Sequence, residues 1–306
     1  MFDESSLHGS RERAAVLALM ARHALPWNRL AGAVEEEGSA LELFATMVGD
    51  NGHEPVPLFV VDEVSDAKPV TLDSMQDYLL QLEREGVRVL TILDDAYPAN
   101  LRMVHDRPPA LFLRGTPRTD DERSIAVVGT RSASSQGIAT TRAIVRELTS
   151  AGYIIVSGLA AGIDTAAHLA AFEDAGRTVA VIGTGIREAF PKGNADLQAR
   201  IAREGLLVSQ FWPEQGPRRW TFPQRNAVMS GFARATVVVE AGKTSGARMQ
   251  ARLASEHGRP VFLLESLLTQ DWANAAAARP GTYVVSDGRQ VVEHLARLYE
   301  SELASA

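Results

Sequence analysis

The sequence predicts an α/β protein: an extended Rossmann-like, doubly wound parallel sheet with a small helical N-terminal module. Three observations carry that prediction. Short apolar runs rich in β-branched residues alternate with helical periodicities, the signature of successive βαβ units. The runs are continuously apolar rather than alternating, as strands buried on both faces of a parallel sheet are. The two strands of the central unit end in Gly129 and Ser157, small residues suited to a tight passage from strand to helix.

In chain order, Glu12 to Val48 reads as helical, with Val16, Leu17, Leu19 and Met20 starting an apolar stripe that Leu30, Val34, Leu41, Leu43 and Phe44 continue. Pro26 opens a second helix there. Gly49 to Pro57 is turn-rich and is expected to be a linker. An amphipathic helix over Asp73 to Glu85 ends at Gly86, and a strand follows over Val87 to Leu93. Pro108-Pro109 permits only an extended entry into the strand Leu111 to Leu113. The central unit runs from Ser124 to His168: strand Ile125 to Val128, a helix starting near Gly137, strand Tyr153 to Val156, and a further helix. Four more strands are expected, at Thr178–Ile182, Leu206–Ser209, Thr236–Glu240 and Pro260–Leu264. The helices Ala195–Arg203 and Ala247–Glu256 fall between them. A short strand and a last helix fill Gly281 to Tyr299. Two domains are expected, residues 1–95 for the helical module with its linker and 96–306 for the sheet.

Composition narrows the function classes. In 306 residues there is no cysteine, which excludes disulfides, thiolate metal sites and a cysteine nucleophile. No apolar run approaches the roughly 18 residues of a membrane span, and the acidic, polar start is not a targeting signal, so a cytoplasmic protein is expected. The formal net charge is −7, which argues against indiscriminate nucleic-acid binding. The charge is unevenly placed, however. Acidic residues dominate from Glu35 to Asp66, whereas Arg200 to Pro260 carries ten Arg and Lys residues against four Glu. A negative protein with one basic half is compatible with a focused nucleic-acid groove.

Two loops of the central unit have the composition of an anion site. Gly129, Gly158 and Gly162 allow backbone N–H groups to approach a phosphate, and helix N-termini follow both loops. Thr130, Ser132 and Ser157 offer hydroxyls, and Arg131 a permanently charged planar fork. Neither a G-x-G-x-x-G fingerprint nor a P-loop lysine motif is present, so NAD and ATP hydrolysis are not indicated and no cofactor is expected. Lys243 and Ser245, before Gly246, repeat the arrangement after another strand. Arg131, Arg225 and Lys243 around one crevice would suit a phosphodiester backbone. Arg225 has two readings: a phosphate contact, or a buried ion pair with Glu240 or Asp164. Asp164 precedes an apolar helical run and reads as an N-cap. His168, one turn later, faces Asp164 and is expected to hydrogen-bond it structurally. No serine completes a triad, and the histidines form no metal-ligand pattern, so neither a catalytic residue nor a metal is expected.

Five motifs in order resemble those of the DprA/Smf family of DNA-processing proteins. They are Tyr97-Pro-x-x-Leu101 with Pro108-Pro109-x-Leu111-Phe112-x-x-Gly115; Val128-Gly-Thr-Arg131; Ser157-Gly-Leu-Ala-x-Gly-Ile-Asp164-x-x-Ala-His168; Phe222-Pro-x-Arg-Asn226; and Val238-Val-Glu-Ala241 with Ser245-Gly246. The resemblance covers nearly the whole chain. It implies a helical module followed by an extended Rossmann-like domain that binds single-stranded DNA, typically as a homodimer, and delivers RecA to it. Family members are binding proteins without established catalysis. Carried onto this sequence, the DNA-binding positions are Gly129, Thr130, Arg131, Ser132, Ser157, Gly158, Gly162, Arg225, Asn226, Lys243, Ser245 and Gly246. Asp164, His168 and Glu240 form the structural pocket behind them.

The chain departs from the family pattern at several points. Ser209-Gln210 stands for Ser-Glu, Phe190-Pro191 for Tyr-Pro, and Arg225-Asn226-Ala227 for Arg-Asn-Arg. Leu264-Glu265-Ser266 replaces Val-Pro-Gly, and Leu267 to Ala278 replaces a Gly-rich segment. No winged-helix domain is expected after the sheet. These changes keep open a specialised relative, such as a regulator or antitoxin-like partner of a neighbouring effector or toxin in antiviral defence. They also keep open a nucleotide-binding sensor or enzyme. Against a phosphoribohydrolase stands the loop Ala241 to Gly246, which lacks the Pro-Gly-Gly-x-Gly-Thr sequence and the catalytic Glu after it.

Overall fold

The computed structural model describes residues 4–48, 70–242 and 245–305. Two compact units emerge. The first comprises Met1–Tyr97 with His105–Leu113, and the second Pro98–Val104 with Arg114–Ala306.

In the first unit, α1 (Glu4–Ala21) packs on α2 (Trp27–Glu37), α3 (Ala40–Val48) and α4 (Leu72–Arg84). From Ala14 to Met20 α1 is buried all round, a wider apolar surface than the expected stripe, because neighbours contact it from several sides. The buried Glu12 carboxylate accepts from the backbone N–H of Ala40 at 2.6 Å and from the Ser39 hydroxyl at 2.7 Å. It therefore satisfies the first two backbone N–H groups of α3, those of Ala40 and Leu41. Helix α4 starts at a capping box between Thr71 and Ser74. Strand β1 (Val87–Thr91) lies beside β2 (Ala110–Gly115), whose last residues belong to the second unit. The expected linker from Gly49 to Pro57 lies outside the described residues.

The second unit contains β3 (Ser124–Val128), β4 (Ile154–Ser157), β5 (Thr178–Val181), β6 (Leu206–Ser209), β7 (Ala235–Val238), β8 (Val261–Leu264) and β9 (Thr282–Val285). Their spatial order is β6-β5-β4-β3-β7-β8-β9, and every pairing is parallel. All residues of β3 through β8 are buried, as the continuous apolar runs require. On one face α6 (Ser135–Ser150) packs against α7 (Ile163–Glu173) and α12 (Gly288–Ser305). Elsewhere α9 (Thr221–Phe232) packs against α10 (Gly246–Glu256) and α5 (Ala99–Arg102). Helix α8 (Ala195–Glu204) connects β5 to β6, and α11 (Asp271–Ala277) precedes β9. The expected doubly wound Rossmann-like sheet is thus present.

The winding determines where a ligand can sit. From β3 the chain steps outward through β4, β5 and β6, then returns to lay β7 on the other side of β3. The connections after β3 and β7 therefore diverge to opposite faces, leaving a crevice beyond their carboxyl ends. In open parallel sheets that is where ligands bind.

Candidate functional site

Three strand-end loops and one helix build the crevice. Val128 to Arg131 come from the end of β3, and Ala160 and Asp164 from the connection after β4. Ser245, Gly246, Ala247 and Gln250 follow β7, and Phe222, Arg225, Asn226 and Met229 project from α9. Together they line a cavity of about 340 Å³. Backbone hydrogen bonds hold the loops together: Thr130 N–H donates to Glu240 O at 2.6 Å, and Ile163 N–H to Thr130 O at 3.2 Å. The close approach depends on glycine. A Cβ at Gly129 would overlap Ile163 and the Glu240 carbonyl, and one at Gly162, where φ is +80°, would overlap Thr130 and Arg131 backbone. These two glycines serve protein–protein packing within the site, beyond any approach to a ligand.

Arg225 occupies the back of the crevice. Its guanidinium is buried, Nη1 donates to Val181 O at 3.1 Å, and Nε has no partner among the described residues. Gly158 supplies the space, since a Cβ there would fall on Nη1. Asp164 is the nearby counter-charge. Burial raises its pKa, while Arg225 and the backbone N–H groups of Ala160, Gly158 and Gly129 pull it down. Burial lowers the Arg225 pKa, while Asp164 supports the charged form. The two charges compensate one another in a low-dielectric interior.

Several sequence expectations need correction here. Asp164 is not the N-cap of α7. Gly162 holds that position, and the Asp164 carboxylate reaches back to accept from Gly158 N–H at 3.1 Å and Ala160 N–H at 3.4 Å. His168 does not bond Asp164. Its Nδ1 lies 2.7 Å from the Thr178 hydroxyl of β5, and burial, then Arg225, lowers its pKa to about 3. Arg225 does not pair with Glu240 either. The Glu240 carboxylate accepts from Ser134 N–H at 3.0 Å and Ser134 hydroxyl at 3.1 Å, just before α6, where the helix dipole favours an anion. The Ser157 hydroxyl is buried and donates to Val127 O at 2.7 Å, so it is committed to the neighbouring strand.

The remaining predicted positions fall as follows. Gly129, Thr130, Arg131, Arg225, Asn226, Ser245 and Gly246 all line the cavity. Ser132 is exposed beside it, with its N–H on the Thr130 hydroxyl at 3.2 Å. Ser245 caps α10 by accepting from Ala247 N–H. Lys243 lies outside the described residues. Among the described residues Arg131 is the exposed cation of the crevice, its guanidinium 5.4 Å from the centre of the Phe222 ring. That arrangement orients a long side chain over an aromatic face without desolvating it. Part of the basic half proves to be engaged elsewhere. Arg200 pairs with Glu204, Arg252 with Glu256, and Arg259 donates to Asn100 O.

Sequence reasoning missed four features. Phe222 was part of a motif but not assigned to the site. Gln250 stands one turn after Gly246, so the helical period alone would have placed it on the crevice side. Leu159, not a glycine, takes φ +57° in the loop after β4, and Asn194 Nδ2 donates to its carbonyl at 2.9 Å. Strained, over-determined backbone of this kind concentrates at binding sites. Finally, Phe190 and Trp220 are exposed aromatics near α9: the Phe190 ring lies tilted by 45° against Phe222, 5.6 Å between centres, and Trp220 is the N-cap residue of α9.

Fold and crevice together define an α/β protein with a cavity at the topological switch point of a parallel sheet. The chain belongs to the DNA recombination-mediator protein A family, whose model matches residues 88–298. It is 36% identical over 220 residues to the DNA processing protein DprA of Streptococcus pneumoniae, covering 71% of this chain and 78% of that protein. Against DprA of Bacillus subtilis it is 34% identical over 196 residues, 64% of this chain and 66% of that one. Among solved structures, DNA processing protein A from Streptococcus pneumoniae superposes with a TM-score of 0.72 at 29% identity, over 92% of this chain and 97% of that one. DNA processing protein A from Helicobacter pylori shares the fold, with a TM-score of 0.61 at 24% identity over 69% of this chain and 96% of that one. No described helix is long and apolar enough to cross a membrane.

Proposed function

We propose that this chain is a single-stranded DNA-binding recombination mediator, not an enzyme, and that DNA lies across the crevice at the ends of β3 and β7. The observation that carries the reading is Arg131: an exposed guanidinium, oriented by Phe222, at the mouth of a switch-point crevice in a DprA-family chain. The Helicobacter pylori relative is described by its single-stranded DNA binding mode, which supports the same ligand class. Arg131 supplies the phosphate contact. Arg225, balanced by Asp164, contributes shape and a positive back wall. Exposed Phe190 and Trp220 offer faces on which bases stack without sequence preference.

The reading extends to a cytoplasmic homodimer that delivers RecA to the bound strand, with residues 96–306 carrying the DNA site and 1–95 a separate helical module. Fluorescence anisotropy with a labelled single-stranded oligonucleotide, its duplex and two salt concentrations tests the DNA reading. Tighter binding of the single strand, weakening steeply with salt, is the expected result. Absence of binding even at low salt would overturn it.

A further inference from the structure

At the floor of the crevice, Gln250 is 1% exposed, and neither its Oε1 nor its Nε2 meets a hydrogen-bond partner among the described residues. Leaving both ends of a buried amide unpaired is costly, and native interiors rarely tolerate it. Gln250 projects from α10 one turn after Gly246, beside Ala247 and opposite Asn226 and Met229 of α9. A hydroxyl or backbone carbonyl could have satisfied it. The cavity wall mixes the apolar Val128, Ala247 and Met229 with the polar Thr130, Asn226 and Ser245, and none of these bonds the amide. Arg131, the proposed phosphate contact, is an exposed residue lining the same cavity.

We propose that Gln250 is a base-reading residue: its amide pairs with an adjacent acceptor and donor on the edge of one nucleobase turned into the crevice. An unpaired carboxamide offers one donor and one acceptor side by side, the pattern used to read base edges bidentately, as in glutamine on adenine N6 and N7. Arg131 outside and Gln250 inside are then a phosphate contact and a base contact to neighbouring parts of one strand. Stacking on Phe190 or Trp220 is indifferent to base identity. Gln250 would add the discrimination that stacking lacks. The inference rests on the single-stranded DNA reading and deepens it.

The test compares oligo(dA), oligo(dT), oligo(dC) and an abasic oligonucleotide of equal length, with the wild-type protein and with Gln250→Leu and Gln250→Met. These replacements keep side-chain bulk and remove the amide. The wild type is expected to distinguish the best from the worst of the three bases by roughly tenfold, the scale of one good bidentate pair. Both variants should fold, bind the abasic oligonucleotide as the wild type does, and bind the three bases within about twofold of one another, with only sequence-tolerant stacking left. Wild-type affinities equal for all three bases, or discrimination unchanged in either variant, would overturn the inference while leaving DNA binding intact. Failure of the wild type to bind any oligonucleotide would instead remove the underlying reading, and the inference with it. Should both variants unfold, the preferred base with a methylated edge decides on wild-type protein: loss of the preference supports edge reading, and its retention overturns it.

Discussion

Gly158 and Arg225 share one volume: the missing side chain of the first is the space that the guanidinium of the second occupies. The loop after β4 and the helix α9 are thereby locked to each other through a buried cation, with Asp164 on the same loop–helix corner as its counter-charge.

Gly158→Ala is therefore expected to destabilise the protein by about 3 kcal/mol, far more than an ordinary glycine-to-alanine change, because it displaces a buried charge from its compensating field. Gly158 has no positive φ, so the backbone itself would accept alanine. Urea denaturation measures the loss. A change below 0.5 kcal/mol, the ordinary scale of a substitution away from special features, would mean that the guanidinium relocates freely.

Arg225→Met should also cost about 3–5 kcal/mol, since it strands the buried Asp164 carboxylate. Adding Asp164→Leu to that variant should recover part of the loss, because the orphaned charge is then gone. A double mutant that is less stable than Arg225→Met alone would contradict a compensating pair.

His168 gives the fold a pH dependence of predictable sign. In the unfolded chain its imidazole titrates near 6.5, but in the fold burial keeps it neutral down to about 3. The stability that the neutral ring contributes is fully present above 6.5 and declines as pH falls toward 3, by up to about 1.4 kcal/mol per pH unit. Between pH 6.5 and 5 the difference between the wild type and His168→Gln isolates this histidine, because the other titrating groups, the raised Asp164 carboxyl among them, are common to both. Urea melts of the wild type should show that slope, and those of His168→Gln should be shallower by roughly that amount. Equal slopes would place the proton elsewhere.

The elements of the sheet were legible because each strand is a short apolar run between small residues, and the order of the five motifs placed the loops that form the crevice. Hidden from the sequence was which groups the third dimension would consume. Ser157 looked like a ligand hydroxyl until Val127 O of the adjacent strand was seen to accept it. His168 is one turn from Asp164, yet its partner is Thr178, brought beside it by the parallel pairing of β5 with β4. The basic half looked like a groove because a charge tally cannot tell buried Arg225 from exposed Arg218, or see that Arg200 and Arg252 are already paired. Gln250 carried no charge and belonged to no motif, so only its burial without partners brought it forward.

The most direct measurement is the salt dependence of single-stranded DNA binding by the wild type and by Arg131→Ala, with Arg11→Ala as a control from the N-terminal module. Arg131 is exposed and contributes no buried packing, so its replacement should leave the urea midpoint unchanged. The account predicts weaker binding for Arg131→Ala and a plot of log K against log salt shallower by about 0.7, one phosphate contact on a single strand. Arg11→Ala should match the wild type in both. Unchanged affinity and slope in Arg131→Ala would show that DNA does not lie across the crevice between β3 and β7.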